Sequence, residues 1–310
     1  MSATALLAVP NVSEGRDDAL AARIGEAFVA GSARLLDTHS DPDHHRSVFT
    51  LAGAPGSLAD ALVSGAAEAI ASIDVVTRAK ADPSQQGVHP HVGAIDVIPL
   101  VYFDERDRGA ACAQALVVAD RLGAELAVPV FLYGELAGGR TRAELRRGGI
   151  DGLASRMAGA IPGGGERLSP DFGPAELHPT AGAALVAARE PLVAFNLQLK
   201  PPATLQDAKR IASLIREGGG QGLPGLRAIG VALHGPGNEQ IAQVSMNVER
   251  PLELPLYEVV RAVQRHAAVA SAELVGLAPR AAFEGFPPEL EMPGFDPQRH
   301  LIENALSRAW

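Results

Sequence analysis

This chain is short of several things, and each shortage excludes something. It has one cysteine in 310 residues, so no internal disulfide can form, and Cys112, set in an Ala-rich helical stretch, reads as a buried structural thiol in a reducing compartment. Aromatic residues make up only 4%, which argues against a platform for stacking nucleobases. There is no basic excess: the formal net charge is −9 with the signs interspersed, so neutralising nucleic-acid phosphates is not what this surface does. No apolar run is long enough to span a bilayer, and the opening "MSATALLAVPN", broken at Pro10 and lacking a basic segment, reads as a first strand and not a signal peptide. What remains is an Ala- and Gly-rich, cytoplasmic enzyme acting on small molecules, without nucleic-acid or membrane partners, long enough for two domains.

The hydrophobic period alternates along the first half. "LLAVP" reads as a strand, and the helix that follows has Leu20, Ile24, Ala27 and Phe28 on one face. "ARLLDTH" and "RSVFTLAG" read as strands, "SLADALVSGAAEAIASI" as a helix through Leu58, Leu62 and Ile70, and "AIDVIPLVY" as a strand. The order is β-α-β-β-α-β, that of the ferredoxin-like split unit, extended by a helix over roughly 107–123 and the strand "VPVFLYG". Residues 137–173, rich in Gly, Pro and basic side chains, read as a surface excursion, and 178–190 as a joining helix. The second half repeats the order: "LVAFNLQL", a helix over 204–217, "LRAIGVALH", "QIAQVSMNV", a helix over 256–267 and "SAELVGL". Thr204 and Asp207 have capping-box spacing. The expected fold is α+β: two ferredoxin-like (βαββαβ) subdomains, 1–180 and 181–310, whose open sheet faces flank a substrate cleft. In "QVSMNV", Val244, Met246 and Val248 take one face while Gln243, Ser245 and Asn247 take the other. Asn196 and Gln198, and Asp37 and His39, form similar polar rows. Such rows either face water or line a cleft for a polar heterocycle.

Few motifs stand alone. "VPNVSEG" is one glycine short of a nucleophile elbow, so Asn11 reads as a turn former and Ser13 as a helix cap. "GQGLPG" follows a helix and precedes a strand, the reverse of a dinucleotide fingerprint. "DTHSDPDHHRS" holds three histidines, yet their spacing matches no established ligand pattern. They read as surface turn residues, with a metal-dependent hydrolase built on His39, His44, His45, His89 and His91 as the alternative from another class. In "GVHPHVGAID", Pro90 fixes the chain beside His89 and presents one imidazole rigidly, which suits proton transfer near neutral pH.

Taken together, "VPNVSEG", "LLDTHSDPDHHRSVFTLAG", "HPHVGAIDVIPLV", "VPVFLYGELA", "DFGPAELHPTAGA", "VAFNLQL", "QVSMNV", "ELVGLAP" and "FDPQRHLIENAL" resemble, almost end to end, the glutamate formimidoyltransferase family, the transferase portion of formiminotransferase-cyclodeaminase. The resemblance implies two ferredoxin-like subdomains flanking a substrate tunnel. It implies transfer of the formimino group from N-formimino-L-glutamate to N5 of tetrahydrofolate, a co-substrate, giving 5-formiminotetrahydrofolate and glutamate, with no metal expected. It also implies a catalytic His89 and a folate-binding stretch comprising Gly173, Pro174, Ala175, Glu176, Leu177, His178, Pro179, Thr180, Ala181 and Gly182. Asp37 is the candidate to orient His89. Arg46, Lys200, Lys209 and Arg210 are candidates for substrate carboxylates, with Lys209 and Arg210 closer to ordinary surface charge, and Asn196, Gln243 and Asn247 are further binding candidates. The chain departs from the family's Glu-His-Pro-Arg pattern, having Val88 and His91, so His91 is counted with the substrate-binding residues. Another one-carbon donor or a 5-substituted folate such as 5-formyltetrahydrofolate is therefore the alternative within the family, and a folate-binding protein without catalysis is a third. A homodimer is a candidate assembly. No cyclodeaminase portion follows residue 310, so the next folate step is expected of another protein.

Overall fold

The computed structural model describes residues 5–29, 31–81, 90–159, 167–234 and 240–310. The chain divides into two compact units, Met1–Arg189 and Glu190–Trp310.

In the first unit, β1 (Leu6–Ala8) and β2 (Asn11–Val12) are two pieces of one strand, interrupted at Val9 and Pro10, where a proline has no N–H for a ladder. Both pieces pair antiparallel with β4 (Arg46–Gly53) and β5 (Ile95–Val101), and β3 (Arg34–Asp41) pairs with the outer side of β4. Between these strands run α1 (Asp18–Ala27), α2 (Leu58–Ser72) and α3 (Val75–Ala81). The order β3–β4–β1/β2–β5 is the one a βαββαβ chain makes when its fourth and third strands flank its first. After α4 (Arg108–Leu126) and β6 (Val130–Leu132) come α5 (Arg142–Arg146), α6 (Gly149–Met157) and β7 (Ala184–Arg189). β7 lies between β5 and β6, parallel to both.

Four expectations change here. The stretch 178–190 contains β7 and is not a helix: "AALVAA" is buried at every position, and a strand buried on both faces loses the period of two. Residues 137–173 are not merely a surface excursion, because Leu145, Leu153 and Met157 of α5 and α6 pack against Val97, Phe131 and Leu185 in a core cluster of their own. Asn11 is a strand residue, and the cap of α1 is Asp17, which accepts from Leu20 N–H at 2.9 Å. Cys112, expected to be buried, is half-buried on α4, and burial raises its thiol pKa. The main core of the unit joins Ile24 and Phe28 of α1, Leu58 and Leu62 of α2 and Val118 of α4 to Phe49, Leu51 and Ile98 of the sheet. Each such side chain contributes roughly 1.5–3 kcal/mol by leaving water.

In the second unit, β8 (Val193–Leu199), α7 (Leu205–Ile215), β9 (Leu226–His234), β10 (Gln240–Val248), α8 (Leu256–Gln264) and β11 (Val269–Val275) follow the same connectivity. They form an antiparallel sheet of order β11–β8–β10–β9. Thr204 and Asp207 make the expected capping box. Val244, Met246 and Val248 join Phe195, Ile211 and Val260 in the core, so the alternation read from "QVSMNV" holds.

Candidate functional site

In the first unit the site is assembled from turns, which is why the chain has to fold before its residues meet. The entry to α1 is built by Glu14. Its Oε1 accepts the backbone N–H groups of Gly15, Arg16 and Asp17 at 3.0, 2.9 and 3.2 Å, which fixes the turn that leads into the N-cap Asp17. Gly15 has no substitute at this point, since a Cβ there would sit 2.3 Å from Asp41 O and 2.4 Å from Arg46 N. That contact brings the β3–β4 turn onto the start of α1. The turn itself is folded by Asp41, whose Oδ1 accepts from the N–H groups of Asp43 and His44, an Asx turn, and whose Oδ2 pairs with His44 Nδ1. His45 then takes a left-handed backbone conformation, φ 48°, which costs about 1–2 kcal/mol for a side chain with a Cβ.

The two imidazoles of this turn are buried, His44 7% and His45 4% exposed, against the expectation of surface histidines. Polar neighbours, Asp41 at His44 and Glu14 and Arg78 at His45, offset part of the penalty that would otherwise hold them in water. Arg78 of α3 donates to His45 Nε2 at 3.0 Å and to Glu14 Oε2 at 3.0 Å, and also to Ser13 O. A guanidinium and a backbone N–H only donate: Arg78 points at Nε2, and Gly15 N–H points at Nδ1 at 3.1 Å, which also lies 3.4 Å from Glu14 Oε1, so both ring nitrogens face a donor. Burial, helped by Arg78 and Arg16 and opposed by Glu14, lowers the His45 pKa to about 4. Burial alone would raise the Glu14 carboxyl, but its backbone donors with His45 and Arg78 bring it below the ordinary range.

Next to this network stands a second one at the start of β5. Asp96 is fully buried; its Oδ1 accepts Val92 N–H at 2.8 Å, and its Oδ2 pairs with Arg146 of α5 and lies 3.6 Å from Arg46 of β4. Burial would raise its pKa, but Arg146, Arg46 and His91 hold it below the usual carboxylate range. Burial lowers His91, with Arg46, Arg78 and Arg146 adding to the effect and Asp96 opposing it, so the ring is neutral at pH 7. Burial also lowers Arg46, with Arg146 adding, to about 10. Ser13, expected to cap α1, instead donates its hydroxyl to Gly93 O at 2.7 Å.

The stretch 173–182 adjoins both networks. Gly93 and Gly182 form a bridge so close that a Cβ on Gly93 would lie 1.8 Å from Ala183 O, and Val76 N–H at the start of α3 bonds Thr180 O at 3.2 Å. His178 Nδ1 accepts Ala181 N–H at 3.0 Å, closing the loop on itself, while Gly173, Pro174, Ala175 and Glu176 are exposed. His89 and Val88 lie outside the described residues. Arg46, His91 and the 177–182 end of the loop are thus brought together; Asp37 is half-buried on β3, paired across the ladder with Thr50. In the second unit Asn196 and Gln243 are buried at 4% and 0% exposure, so these members of the polar row do not face water. Asn196 donates to Glu273 at 2.8 Å, both amide atoms of Gln243 have no partner among the described residues, and Asn247 is half-buried. Lys200, Lys209 and Arg210 are exposed. The sequence reading missed Glu14, Arg78, Asp96 and Arg146. "SEG" after a strand and the lone acid in "GAID" are the only local signals for the first and third. Among the described residues no three His, Cys, Asp or Glu side chains come together to hold a metal ion, and no helix is long and apolar enough to cross a membrane.

Comparison with known proteins accounts for both units. Residues 5–189 match the family described as the formiminotransferase domain, N-terminal subdomain, and 194–284 match the formiminotransferase domain. The chain is 34% identical over 308 residues to the glutamate formimidoyltransferase of Streptococcus pyogenes serotype M1, covering 96% of this chain and 97% of that protein. It is 31% identical over 309 residues to the glutamate formimidoyltransferase of Thermoplasma acidophilum, covering 97% of each. The formimidoyltransferase-cyclodeaminase of Sus scrofa is 34% identical over 88% of this chain and 50% of its own length.

Proposed function

The chain belongs to the formiminotransferase family, and from that premise we propose that it is a glutamate formimidoyltransferase acting in the cytoplasm. It transfers the formimino group of N-formimino-L-glutamate to N5 of tetrahydrofolate. N5 attacks the amidine carbon, the new C–N5 bond forms, the bond to the glutamate nitrogen breaks, and glutamate leaves with a proton in place of the formimino carbon. One base must take the N5 proton and return one to the leaving nitrogen, and an imidazole near neutral pKa does both in turn for about a 10²–10⁴-fold gain. His89 is assigned that role, with Asp37 to orient it. The loop 173–182, with Asn196, Gln243 and Asn247, is assigned to folate, and Arg46 and His91 to the carboxylate end of a substrate. Folate enters as co-substrate and the chemistry asks for no metal. The two subdomains divide between 180 and 190, and the reading includes no nucleic-acid or membrane partner. A homodimer is to be tested by sedimentation.

The observation that carries this reading is that likeness to named glutamate formimidoyltransferases spans both units and 97% of each relative's length. The test is to mix protein, N-formimino-L-glutamate and tetrahydrofolate and follow 5-formiminotetrahydrofolate. Absence of turnover by protein that binds tetrahydrofolate tightly would overturn it.

A further inference from the structure

Arg46 is the least satisfied charge near the start of β5. Its side chain is 18% exposed, its ion-pair partner Asp96 stands at 3.6 Å, beyond hydrogen-bonding distance, and its guanidinium makes no hydrogen bond among the described residues. A guanidinium carries five N–H donors, and withdrawing it from water is costly unless they are met. Asp96 cannot meet them. One of its oxygens is held by Val92 N–H and the other by Arg146, whose own Nε is buried without an acceptor among the described residues. Two guanidinium groups therefore share a single carboxylate oxygen. The neighbouring charges do not supply the balance: Arg46, Arg78 and Arg146 face Asp96 and Glu14, and adding Arg142 and Asp41, which also act on Arg46, leaves one positive charge in excess. This excess sits in a chain of net charge −9.

We propose that Arg46 and Arg146 form a carboxylate-binding subsite, with Asp96 as the scaffold that holds the two guanidinium groups side by side. A carboxylate entering there takes the fork of Arg46 in bidentate fashion and shares the free edge of Arg146, the geometry for which arginine is suited and lysine is not. Arg146 is then a specificity-determining residue supplied by α5, a helix outside the βαββαβ framework. The inference rests on the glutamate formimidoyltransferase reading for its ligand sources: the amino-acid substrate, represented by its product glutamate, and the glutamyl tail of the folate.

The test is calorimetric titration of L-glutamate, tetrahydrofolate and tetrahydropteroate, which lacks the glutamyl tail, into the wild type and into Arg46→Met, Arg146→Met and Arg146→Lys. Each Met variant is expected to lose about 10–100-fold in affinity for one carboxylate ligand, as for a lost hydrogen-bonded charge, and nothing for tetrahydropteroate. A fall for glutamate identifies the amino acid as the source; a fall of tetrahydrofolate to the level of tetrahydropteroate identifies the tail. Arg146→Lys, which keeps the charge and loses the fork, is expected between wild type and Met, and with Arg46→Lys it carries the test should a Met variant fail to fold. Unchanged affinity for both carboxylate ligands in folded variants overturns the subsite. The two readings separate cleanly. A protein that makes no 5-formimino product yet loses glutamate affinity on Arg146→Met keeps the subsite and loses the transferase assignment, whereas turnover at wild-type KM by both Met variants does the reverse.

Discussion

Arg78 Nη1 lies 3.0 Å from His45 Nε2 and 3.0 Å from Glu14 Oε2, so one guanidinium on α3 joins the β3–β4 turn to the entry of α1. Removing it would leave Glu14 Oε2 and the buried Nε2 of His45 without this donor, and the Glu14 charge without its cation. Breaking a buried pair by deleting one partner costs about 3–5 kcal/mol, less where water reaches the site. Arg78 is 21% exposed at its side chain, so Arg78→Met is expected to lower stability by about 2–4 kcal/mol in urea unfolding. Adding Glu14→Gln should recover part of that loss, because the orphaned charge is then gone. A double variant no more stable than the single would mean that Glu14 and Arg78 are not energetically coupled.

His45 makes the fold sensitive to acid over a defined window. Its native pKa is about 4 against 6.5 for the free group, so as pH falls the unfolded chain takes up the proton first. The stability contributed by the neutral ring is therefore complete above pH 6.5 and lost progressively as pH falls from 6.5 to 4, by roughly 3 kcal/mol at full extent. Glu14, whose pKa is also lowered, loses its contribution in the same direction, but only as the pH falls below its ordinary value of 4.5. His45→Asn tolerates the left-handed backbone and removes the titration. Its unfolding free energy should slope less between pH 6.5 and 4.5 than the wild type's, the remaining slope coming from His91, whose pKa burial also lowers; equal slopes would acquit His45.

The fold was legible where one face of an element meets water, because that exposure imposes a period. Leu20, Ile24 and Phe28 give α1, and Val244, Met246 and Val248 give β10. β7 was misread because both its faces are buried and alanine is at home in either state. The polar networks were legible only in part. His44 and His45 sit among Asp and Pro, which usually means a surface turn; His44 is held by Asp41 within the turn, whereas the partner that covers His45 is Arg78, more than thirty residues further along. Arg146 and Asp96 are fifty residues apart, and neither has a local signature. The sequence pattern could single out Arg46 and His91 as candidates, but not the carboxylate that stands between the arginines.

Two histidines flank Pro90, and the proposed roles make them behave differently. His89→Ala is expected to reduce kcat about 10²–10⁴-fold while the melting temperature and tetrahydrofolate affinity stay near wild type. His91 is buried beside Arg46, Arg78 and Arg146 and neutral at pH 7, so it can neither supply a permanent charge nor reach solvent freely. His91→Ala is expected to lower stability and raise KM for the amino-acid substrate with a smaller effect on kcat. If His91→Ala abolishes kcat and His89→Ala does not, the proton-transfer role belongs to His91.

Gln243 sits on the central strand β10, opposite Gln198 of β8 and Val231 of β9, fully buried with both amide atoms unpaired among the described residues. An amide left that way costs about 1–3 kcal/mol, and a fold retains such a cost where the group serves a ligand. Asn196, two pairs further along the same ladder, differs because it already donates to Glu273. Gln243→Met keeps the length of the side chain and removes both polar atoms. It is therefore expected to raise the melting temperature of the free protein by roughly 2–6 °C and to weaken tetrahydrofolate about tenfold. The two effects have opposite signs only if the amide is held in reserve for the folate. A rise in melting temperature with unchanged affinity would remove Gln243 from the binding site, and a fall would mean that the amide is already satisfied in the free protein.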